Sequence, residues 1–452
     1  MNSVAEKPLH LPSTINSLPT GWKWSRLDDA CVGVYDCPHS TPILTQVGPL
    51  VVRSQDIRSG IFRTEQAANV SEETYRDRVS RVEPQHGDLL YSREGTYFGI
   101  AAEVPEGVRV CLGQRMVLIR PKREGVDYRY LRYWLNSPAV ALHVAGHRDG
   151  TVAERLNLPT IRGLPVALPP FGVQQRIGQV LGSLDDKIEL NRRTNETLAA
   201  MARTMFRSWF VDFDPVRAKA GDQTPPGLEA ATAKLFPDSF EPSALGPIPK
   251  GWKVLPLPEA ITVNPSRSLS KDVVAPYLEM GNMPTASARA LAWEPRPCGS
   301  GAKFVNGDVL LARITPCLEN GKTAFVDFLN DGQVGWGSTE YIVFRSKPPL
   351  PPEFAYFLAR SPELRTHAIQ NMTGTSGRQR VPAECFNSYP VVVPPAPVAA
   401  RFGEWCQPIM AMMKARDEES RTLAATRDAL LPKLLSGEVR VGDAERAVEE
   451  VA

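Results

Sequence analysis

The chain contains one ordered series of short sequence motifs twice, at offsets of 220 to 230 residues. The matching segments are Gly21-Trp22-Lys23 with Gly251-Trp252-Lys253, residues 87–93 with 307–313, Ser137-Pro138 with Ser361-Pro362, His143 with His367, Gly150-Thr151 with Gly374-Thr375, and residues 165–170 with 390–395. Solenoid repeats have much shorter periods, of about 20 to 50 residues. The duplication therefore predicts two similar domains that present two similar surfaces to one extended partner.

The composition favours a soluble globular protein. A chain of 452 residues with 42% hydrophobic content can bury two sizeable cores. Its 7 cysteines are odd in number and include no C-x-x-C motif, so neither a disulfide framework nor a zinc ribbon is predicted. No signal pattern opens the sequence, and no apolar run approaches the ~18 residues of a membrane span. We expect a cytoplasmic protein without membrane association.

Two long stretches carry mostly apolar residues at alternating steps of four and three, which is the pattern of a helix that packs along its whole length. The first stretch contains Ile177, Leu181, Leu184, Ile188, Asn191, Asn195, Leu198, Ala202, Met205 and Trp209, and the second contains Phe402, Cys406, Ile409, Met413, Arg416, Ser420, Leu423, Arg427, Leu430 and Leu434. The two matching seams predict a parallel or antiparallel pair of long helices. The alternative is two unrelated amphipathic helices, each covering its own domain.

Polar residues interrupt both seams at corresponding places, and this favours pairing. Asn191 and Asn195 in the first stretch correspond to Arg416 and Ser420 in the second. Buried polar residues at such positions fix the register of paired helices at some cost in stability. Prolines 408 and 432 interrupt only the second stretch, which predicts a kink or a late start for that helix.

Each long repeat outside the seams has the pattern of an α+β domain. Residues 108–121 and 334–345 have strand-like composition, whereas residues 127–135 and 353–360 have helical character. Residues 212–247 are rich in Pro, Gly, Ala and acidic side chains, which is typical of a linker.

Several long segments resemble conserved regions of type I restriction-modification specificity subunits. Residues 169–177, 184–191 and 206–219 are similar to the central conserved region of that family, residues 246–252 to the entry into its second target-recognition domain, and residues 430–438 to the end of its distal conserved region. The chain departs from the family pattern at Gln174, where Glu is common, and at residues 394–401, which lack the family's Glu-Gln pair.

The resemblance implies an α+β fold in which two similar target-recognition domains are separated by a pair of long coiled-coil-like helices, with a pseudo-twofold repeat. The implied domain order is a first target-recognition domain at 1–170, the central conserved helix at 171–212, a crossover linker at 213–247, a second target-recognition domain at 248–395, the distal conserved helix at 396–440 and a tail at 441–452. A helix from Ile177 to Trp209 would be about 50 Å long.

The resemblance also implies the partners. Each domain of such a subunit reads one half of a bipartite site in double-stranded DNA, and the helices dock two modification subunits that bind S-adenosylmethionine and methylate adenine. Restriction subunits, which combine a motor and a nuclease, complete the complex with ATP and Mg²⁺. These cofactors are expected on the partners and none on this chain.

Candidate DNA contacts are side chains that can neutralise phosphates or bond base edges. They comprise Arg93, Gln114, Arg115, His147, Arg148 and Thr151 in the first repeat, and Arg313, Thr375, Ser376, Arg378, Gln379 and Arg380 in the second. The alternatives are solvated turns for residues 147–155 and 373–380, and surface salt bridges for the others. The net charge of +2 does not by itself indicate nucleic acid.

Candidate positions for helix packing, and for part of the partner-docking surface, follow the seams. They are Ile177, Leu181, Leu184, Ile188, Leu198, Met205, Phe206, Trp209, Phe210, Leu423, Leu430 and Leu434. A role confined to the core is the simpler interpretation for each of them.

We expect no catalytic residue and no metal ligand on this chain. Gly321-Lys322-Thr323 resembles the end of a phosphate-binding loop, but Pro316 occupies the position of the required upstream glycine. Asp185-Asp186-Lys187 lies within the first helical seam, which is unsuited to a nuclease centre. The predicted function is therefore that of a noncatalytic DNA-specificity subunit. A protein scaffold that uses only the paired helices and an autonomous restriction enzyme are the alternatives.

Overall fold

A computed structural model describes residues 11–12, 17–95, 98–146, 155–375 and 377–450 of the chain. The fold divides into two compact units. One unit is formed by both ends of the chain, and the other is formed by its middle part. The first unit combines the described residues up to Ile188 with those from Thr422 onward, and the second unit runs from Glu189 to Arg421. Each unit contains an α+β domain and a part of each of two long helices.

The two long helices span Phe171–Phe210 and Ala396–Ser436, and they are called here the first and the second long helix. The expected late start of the second long helix is wrong, because it begins at Ala396 and continues through both prolines. Pro408 and Pro432 are exposed. Each proline removes one backbone hydrogen bond, and burial of seam residues such as Phe402 and Met413 offsets that loss.

The helices pair in antiparallel fashion within each unit. In the first unit the Asp185 carboxylate of the first long helix accepts a 2.6 Å hydrogen bond from Arg427 of the second. In the second unit the rings of Phe206 and Phe402 lie 5.9 Å apart between centroids. Residue numbers therefore rise along one helix as they fall along the other. The prediction of a helix pair is confirmed, and the alternative of two unrelated helices is excluded.

The α+β domain of the first unit is built on a four-stranded antiparallel sheet. Its strand order is Cys31–Asp36, Met116–Pro121, Leu89–Ser92 and Ala101–Glu103. A three-stranded sheet has the order Ala68–Val70, Leu44–Val52 and Val110–Leu112, with the last two strands parallel. Shorter pairs join Ile57–Arg58 to Ile61–Phe62 and Lys23–Arg26 to Pro165–Leu168.

Short helices cover these sheets and connect them to the long helices. The α-helices of the first unit, apart from the long ones, are Leu27–Ala30, Glu72–Val79, Tyr128–Leu135, Pro138–Ala145, Leu158–Arg162 and Val441–Glu449, with 3₁₀ turns at Ser54–Asp56 and Thr64–Gln66. The predicted strand character of residues 108–121 and helical character of residues 127–135 are confirmed.

The domain of the second unit repeats this topology. Its central sheet has the order Ile261–Val263, Tyr341–Ser346, Val309–Ala312 and Thr323–Phe325. The second sheet has the order Glu294–Pro297, Val274–Leu278, Gly335–Gly337 and Lys303–Phe304, and it again contains one parallel pair. The remaining strands pair Lys253–Pro256 with Pro390–Val393 and Phe240–Glu241 with Ile248–Pro249.

Three helices of the second unit, Leu257–Ala260, Pro352–Arg360 and Pro362–Gln370, correspond to Leu27–Ala30, Tyr128–Leu135 and Pro138–Ala145 of the first. The short α-helices of the second unit are Asp214–Ala220, Ala230–Ala233, Leu257–Ala260, Pro352–Arg360 and Pro362–Gln370, with 3₁₀ turns at Met280–Asn282 and Ala383–Ser388. The predictions for residues 334–345 and 353–360 are confirmed.

The repeated sequence motifs are the residues that build this shared frame. In the motif at 87–93, Gly87 has φ of 88° and Asp88 is buried, with its carboxylate accepting bonds from the Gln85 N–H and from Arg120. In the motif at 307–313, Gly307 has φ of 84°. The equally buried Asp308 there accepts bonds from the Val305 N–H and from Arg345. Glycine is favoured at a positive φ, and a buried carboxylate needs such partners.

The repeated Ser-Pro motif is a helix start in both units. Ser137 accepts a 3.3 Å bond from the N–H of Val140, and Ser361 accepts a 3.2 Å bond from the N–H of Leu364. In each case proline follows at the first helical position, where its missing N–H is not needed. These motifs therefore specify the boundary of a short helix.

Two segments outside the repeats pack into the cores of the units. In the segment expected as a crossover linker, Val216 and Phe236 are buried in the core of the second unit. In the segment expected as a tail, Ala444 and Val448 of the helix Val441–Glu449 are buried in the core of the first unit.

Replacement of Leu423 by alanine should destabilise the first unit. Leu423 is fully buried in the core of that unit, although it lies more than 200 residues after most of its neighbours. Loss of a buried leucine side chain costs about 2–5 kcal/mol. The change in the free energy of unfolding is measured by chemical denaturation, with hydrogen exchange at amides of the first unit as the readout. The matched control is Leu190→Ala, because Leu190 is 59% exposed and its loss should change stability by less than about 0.5 kcal/mol. Equal stability of both variants would contradict the assignment of Leu423 to the core.

Candidate nucleic-acid interface

The predicted DNA contacts Arg93 and Arg115 lie at the same end of the central sheet of the first unit. Arg93 directly follows the strand Leu89–Ser92, and Arg115 directly precedes the strand Met116–Pro121. The Arg93 N–H donates a 3.0 Å bond to the carbonyl oxygen of Arg115, so the two backbones are joined where the strands end. Strand ends of this kind project side chains from a rigid scaffold.

Both of these arginines form ion pairs within the first unit. Arg93 donates to the Asp36 carboxylate at 3.0 Å, and its side chain is only 19% exposed. The Arg115 Nε lies 3.1 Å from the Glu94 carboxylate, and the side chain is more than half exposed. Arg115 also has φ of 70°, which is uncommon for an arginine. The surface salt bridge considered as an alternative from the sequence is therefore present for both residues.

Gln114 contacts a short polar loop that precedes the strand Leu44–Val52. Its amide nitrogen donates a 2.8 Å bond to the carbonyl oxygen of His39, and its amide oxygen accepts a 3.2 Å bond from the Thr41 hydroxyl. Gln114 is exposed, so it lies at the surface together with this loop.

Arg78 holds the same loop in place through hydrogen bonds to backbone carbonyl oxygens. Its guanidinium donates to the carbonyl oxygens of Pro38, Ser40 and Leu112, and the residue is 8% exposed. This role could not be predicted from the sequence, because Arg78 lies in a short charged helix, Glu72–Val79, that has no repeat counterpart. The exposed side chains of His39 and Thr41 are therefore held on a supported surface.

Three predicted contacts in the first repeat, His147, Arg148 and Thr151, lie outside the described residues, as does Ser376 in the second repeat. After His147, Arg148 and Thr151 the structure describes the chain again from Arg155 onward. Arg155 forms an isolated β-bridge with Glu94, and the Leu156 N–H donates a 2.9 Å bond to the carbonyl oxygen of Arg93. Arg155 and Leu156 thus lie at the same strand end as Arg93.

Arg313 occupies the equivalent position in the second unit. Its N–H donates a 3.0 Å bond to the carbonyl oxygen of Glu340, and its carbonyl oxygen accepts a 2.8 Å bond from the Val381 N–H. These two bonds reproduce those of Arg93 with Arg115 and Leu156. Glu340 stands at the position of Arg115, so the charge at that place is reversed between the units.

The described residues of the loop 373–380 lie at this strand end. Thr373 and Arg380 form a β-bridge, Arg380 also bridges to Ile314, and the Gln379 carbonyl oxygen accepts a 3.0 Å bond from the Thr315 N–H. Arg380 forms an ion pair with Glu340 at 2.7 Å, with side chains 44% and 21% exposed. Thr375 and Arg378 are exposed, and the carbonyl oxygen of Thr375 accepts a 3.0 Å bond from the Arg378 N–H. The predicted residues of this loop that are described are therefore brought together beside Arg313.

The predicted helix-packing residues are all in or against the cores. Ile177, Leu181, Leu184, Phe206, Trp209, Phe210, Leu423 and Leu434 are at most 5% exposed, whereas Ile188, Leu198, Met205 and Leu430 are half-buried against the same clusters. Because these side chains are used within the units, a partner that docks on the helices has to contact other residues of their surfaces.

The polar seam positions make direct contacts between the helices of the second unit. Asn191 donates bonds to the Glu419 carboxylate at 2.7 Å and to the Ser420 hydroxyl at 3.2 Å. Asn195 donates to the Asp417 carboxylate at 2.8 Å and to the carbonyl oxygen of Met413 at 3.1 Å. Burial raises the pKa of Asp417. The polar seam positions thus form hydrogen bonds across the helix pair that fix its register, but Asn195 bonds Asp417 and not Ser420, its equivalent in the sequence repeat.

Charged groups attach each domain to the helix pair of its own unit. In the first unit Asp185 accepts bonds from Arg132 at 3.0 Å, Tyr133 at 2.5 Å and Arg427 at 2.6 Å. In the second unit the buried Arg289 donates to Asp417 at 3.1 Å. Sequence reasoning missed these attachments, because the partners lie up to 242 residues apart along the chain.

Comparison with known proteins agrees with this geometry. Residues 57–200 match the family model described as type I restriction modification DNA specificity domain. The chain is 24% identical to the type I restriction enzyme MjaIX specificity subunit of Methanocaldococcus jannaschii, over 82% of each protein. It is 24% identical to the HindI specificity subunit of Haemophilus influenzae, over 78% of this chain and 86% of that protein.

A solved structure shares the fold. The crystal structure of a type I restriction-modification system S subunit from M. genitalium superposes with a TM-score of 0.53 at 12% sequence identity, and the match covers 93% of this chain and 96% of that one. A duplicated α+β domain on paired helices, together with the match to the DNA specificity domain over residues 57–200, makes this chain similar to type I restriction-modification specificity subunits.

None of the helices in the described ranges has both the length and the hydrophobicity to cross a lipid bilayer.

Replacement of Arg380 by glutamine separates a DNA contact from a surface salt bridge. An exposed ion pair such as Arg380–Glu340 contributes at most about 1 kcal/mol to stability, so the melting temperature should change little. The affinity for duplex DNA should fall, because one phosphate-neutralising cation is removed. Filter binding and calorimetry measure the two effects. The control is Arg401→Gln, which removes the partly exposed ion pairs of Arg401 with Glu229 and Glu404 in the same unit and should leave DNA affinity unchanged. Unaltered affinity of the Arg380 variant would favour the salt-bridge role.

Proposed function

We propose that this chain is the DNA sequence-recognition subunit of a type I restriction-modification complex, and that it reads a bipartite target with one domain for each half-site. The observation that carries the proposal is the duplication itself. Two domains of one topology present equivalent strand ends at Arg93 and Arg313, with the same backbone bonds in each. A protein with two such reading surfaces is suited to a target in two parts.

The differences between the two surfaces support reading of different half-sites. At one equivalent position the first unit has Arg115 and the second has Glu340. Hydrogen-bond donors and acceptors at base edges distinguish the four base pairs in the major groove. Exchange of a donor for an acceptor at a common position would therefore change the preferred sequence while the frame is kept.

The chain would act without catalysis of its own and would dock methyltransferase and nuclease subunits. We propose that two modification subunits supply S-adenosylmethionine and adenine methylation, and that restriction subunits supply ATP hydrolysis and Mg²⁺-dependent cleavage. On the long helices Leu190, Met201 and Met412 expose apolar side chains, with 59%, 52% and 43% of their surface accessible. Exposed apolar side chains of this kind are candidate partner contacts, unlike the buried seam residues.

Methylome sequencing of cells with and without this chain, together with its modification subunits, tests the proposal. The expected result is a methylated motif in two blocks separated by a fixed gap, present only when the chain is expressed. A variant altered in the second surface, Arg378→Gln with Gln379→Ala, should change or abolish recognition of one block. The other block should persist, because the first unit is untouched.

The control for this experiment is the same chain expressed with modification subunits that lack methyltransferase activity, which should leave the genome unmethylated. A single continuous motif, or methylation that does not depend on the chain, would contradict the proposal.

A further inference from the structure

Arg93 and Arg313 are equivalent in backbone position but differ in their side-chain surroundings. Both follow the third strand of the central sheet and make the same pair of backbone hydrogen bonds. The frame therefore presents an arginine at the same place in each unit. What differs is the charge that faces the guanidinium.

In the first unit a carboxylate neutralises the arginine. The strand Cys31–Asp36 continues to the edge of the sheet, where Asp36 is paired in register with Val117. This extension places the Asp36 carboxylate 3.0 Å from the guanidinium of Arg93. Arg93 is accordingly a compensated charge, and it fastens two strands of the sheet to each other.

In the second unit the corresponding strand stops before that point. Its register ends at Val263 opposite Phe344, and the next residue, Asn264, has φ of 49°. Asn264 uses both its N–H and its side-chain oxygen to bond the backbone of Val343. The chain leaves the sheet there, and among the described residues of the second unit no carboxylate forms an ion pair with Arg313 as Asp36 does with Arg93.

Arg313 is therefore left without a counter-charge. Within the described ranges its guanidinium makes no hydrogen bond or ion pair, and its Nε atom is buried without a partner. The carboxylate on the adjoining strand end, that of Glu340, is already engaged by Arg380 at 2.7 Å. Arg378 in the adjacent loop is exposed and adds positive charge to the same area.

A partly buried guanidinium without a partner is costly, because burial removes water and no protein group replaces it. Neutral acceptors on a base edge, such as O6 and N7 of guanine, would restore hydrogen bonds but not the missing charge. A phosphate supplies both a full negative charge and oxygen acceptors that match the guanidinium fork.

We propose that Arg313 binds a backbone phosphate of duplex DNA at the half-site read by the second unit, and that Arg93 makes no such contact. The inference rests on the proposed DNA-recognition function. It assigns unequal roles to two arginines that the sequence repeat presents as equivalent. The first is a strand fastener, whereas the second is a positioning contact that carries no sequence information.

The salt dependence of DNA binding tests this assignment, because each neutralised phosphate adds about 0.9 to the slope of log K against log salt concentration on B-form DNA. The measurement uses the full chain assembled with its modification subunits and a duplex that carries the methylated target. Arg313→Gln should reduce the slope by about 0.9. Arg313→Lys should keep the wild-type slope, because the positive charge is retained.

The matched control is the double variant Arg93→Gln with Asp36→Asn. It removes the equivalent arginine together with its counter-charge, and the slope should stay at the wild-type value. A second measurement replaces single phosphates of that half-site by uncharged methylphosphonates. One such replacement should lower the slope for the wild-type complex by the same amount and leave Arg313→Gln unaffected.

The possible outcomes distinguish a failure of the phosphate contact from a failure of the proposed DNA-recognition function. If the wild-type complex binds the target but Arg313→Gln has the wild-type slope, or if no single methylphosphonate alters it, the phosphate contact is wrong. If Arg313→Gln instead changes which bases are methylated in that half-site, Arg313 reads bases and the assignment is also wrong. If the wild-type complex binds no duplex at all, the proposed function fails and the inference fails with it.

Discussion

The antiparallel pairing of the two long helices is the interaction on which the rest of the fold depends. Each compact unit is completed by helix segments that lie far apart in the sequence. The core of the first unit includes Leu184 and Leu423, and that of the second includes Phe206 and Phe402. Apolar burial of about 25 cal/mol per Å² stabilises such contacts, so neither domain has a complete core until the chain has been traversed almost to its end.

The seam between the helices combines this apolar burial with a few polar contacts that select one register. Asn191 and Asn195 are buried and bond Ser420 and Asp417 across the helix pair of the second unit. Slippage by one turn would leave these groups buried without partners, at a cost of about 1–3 kcal/mol for each group. The polar seam residues therefore exchange some stability for a defined alignment.

The frame of this protein could be predicted from its sequence, whereas the surface chemistry could not. The Ser-Pro helix starts and the Gly-Asp turns are local devices, so their residues predict their structure wherever they occur. The two long helices could also be predicted, because a mean apolar spacing of about 3.5 residues persists over many turns. Whether they pair in parallel or antiparallel fashion could not be predicted, since the seam spacing is the same in both cases.

Contacts between distant residues set the remaining limits on prediction. The sequence repeat places Arg93 and Arg313 at equivalent positions. Their side-chain surroundings differ because the strand in the second unit ends early, at Val263. The predicted salt bridges of Arg93 and Arg115 are present, but their partners Asp36 and Glu94 could not be chosen from composition. Proline 408 predicted an interruption of the second long helix, yet burial of its neighbours in the seam outweighs the lost hydrogen bond.

The two domains share their buried residues but differ in their rim residues, which are the residues at the strand ends beside Arg93 and Arg313. This combination is a physical basis for the proposed DNA-recognition function. Buried residues such as Asp88 and Asp308 keep the two domains alike, because each carboxylate accepts a backbone N–H and an arginine side chain at the same turn. Rim residues such as Arg115 and Glu340 are free of that constraint, so they can differ without loss of the fold.

The most direct test of this account is hydrogen exchange on a chain that ends at Arg421. Removal of residues 422–452 takes Leu423 and Leu434 from the core of the first unit. We expect amides of the strand Leu89–Ser92 to lose protection, whereas those of the strand Val309–Ala312 in the second unit should keep it. Retained protection of Leu89–Ser92 would contradict the central claim, because the first domain would then be stable without the second long helix.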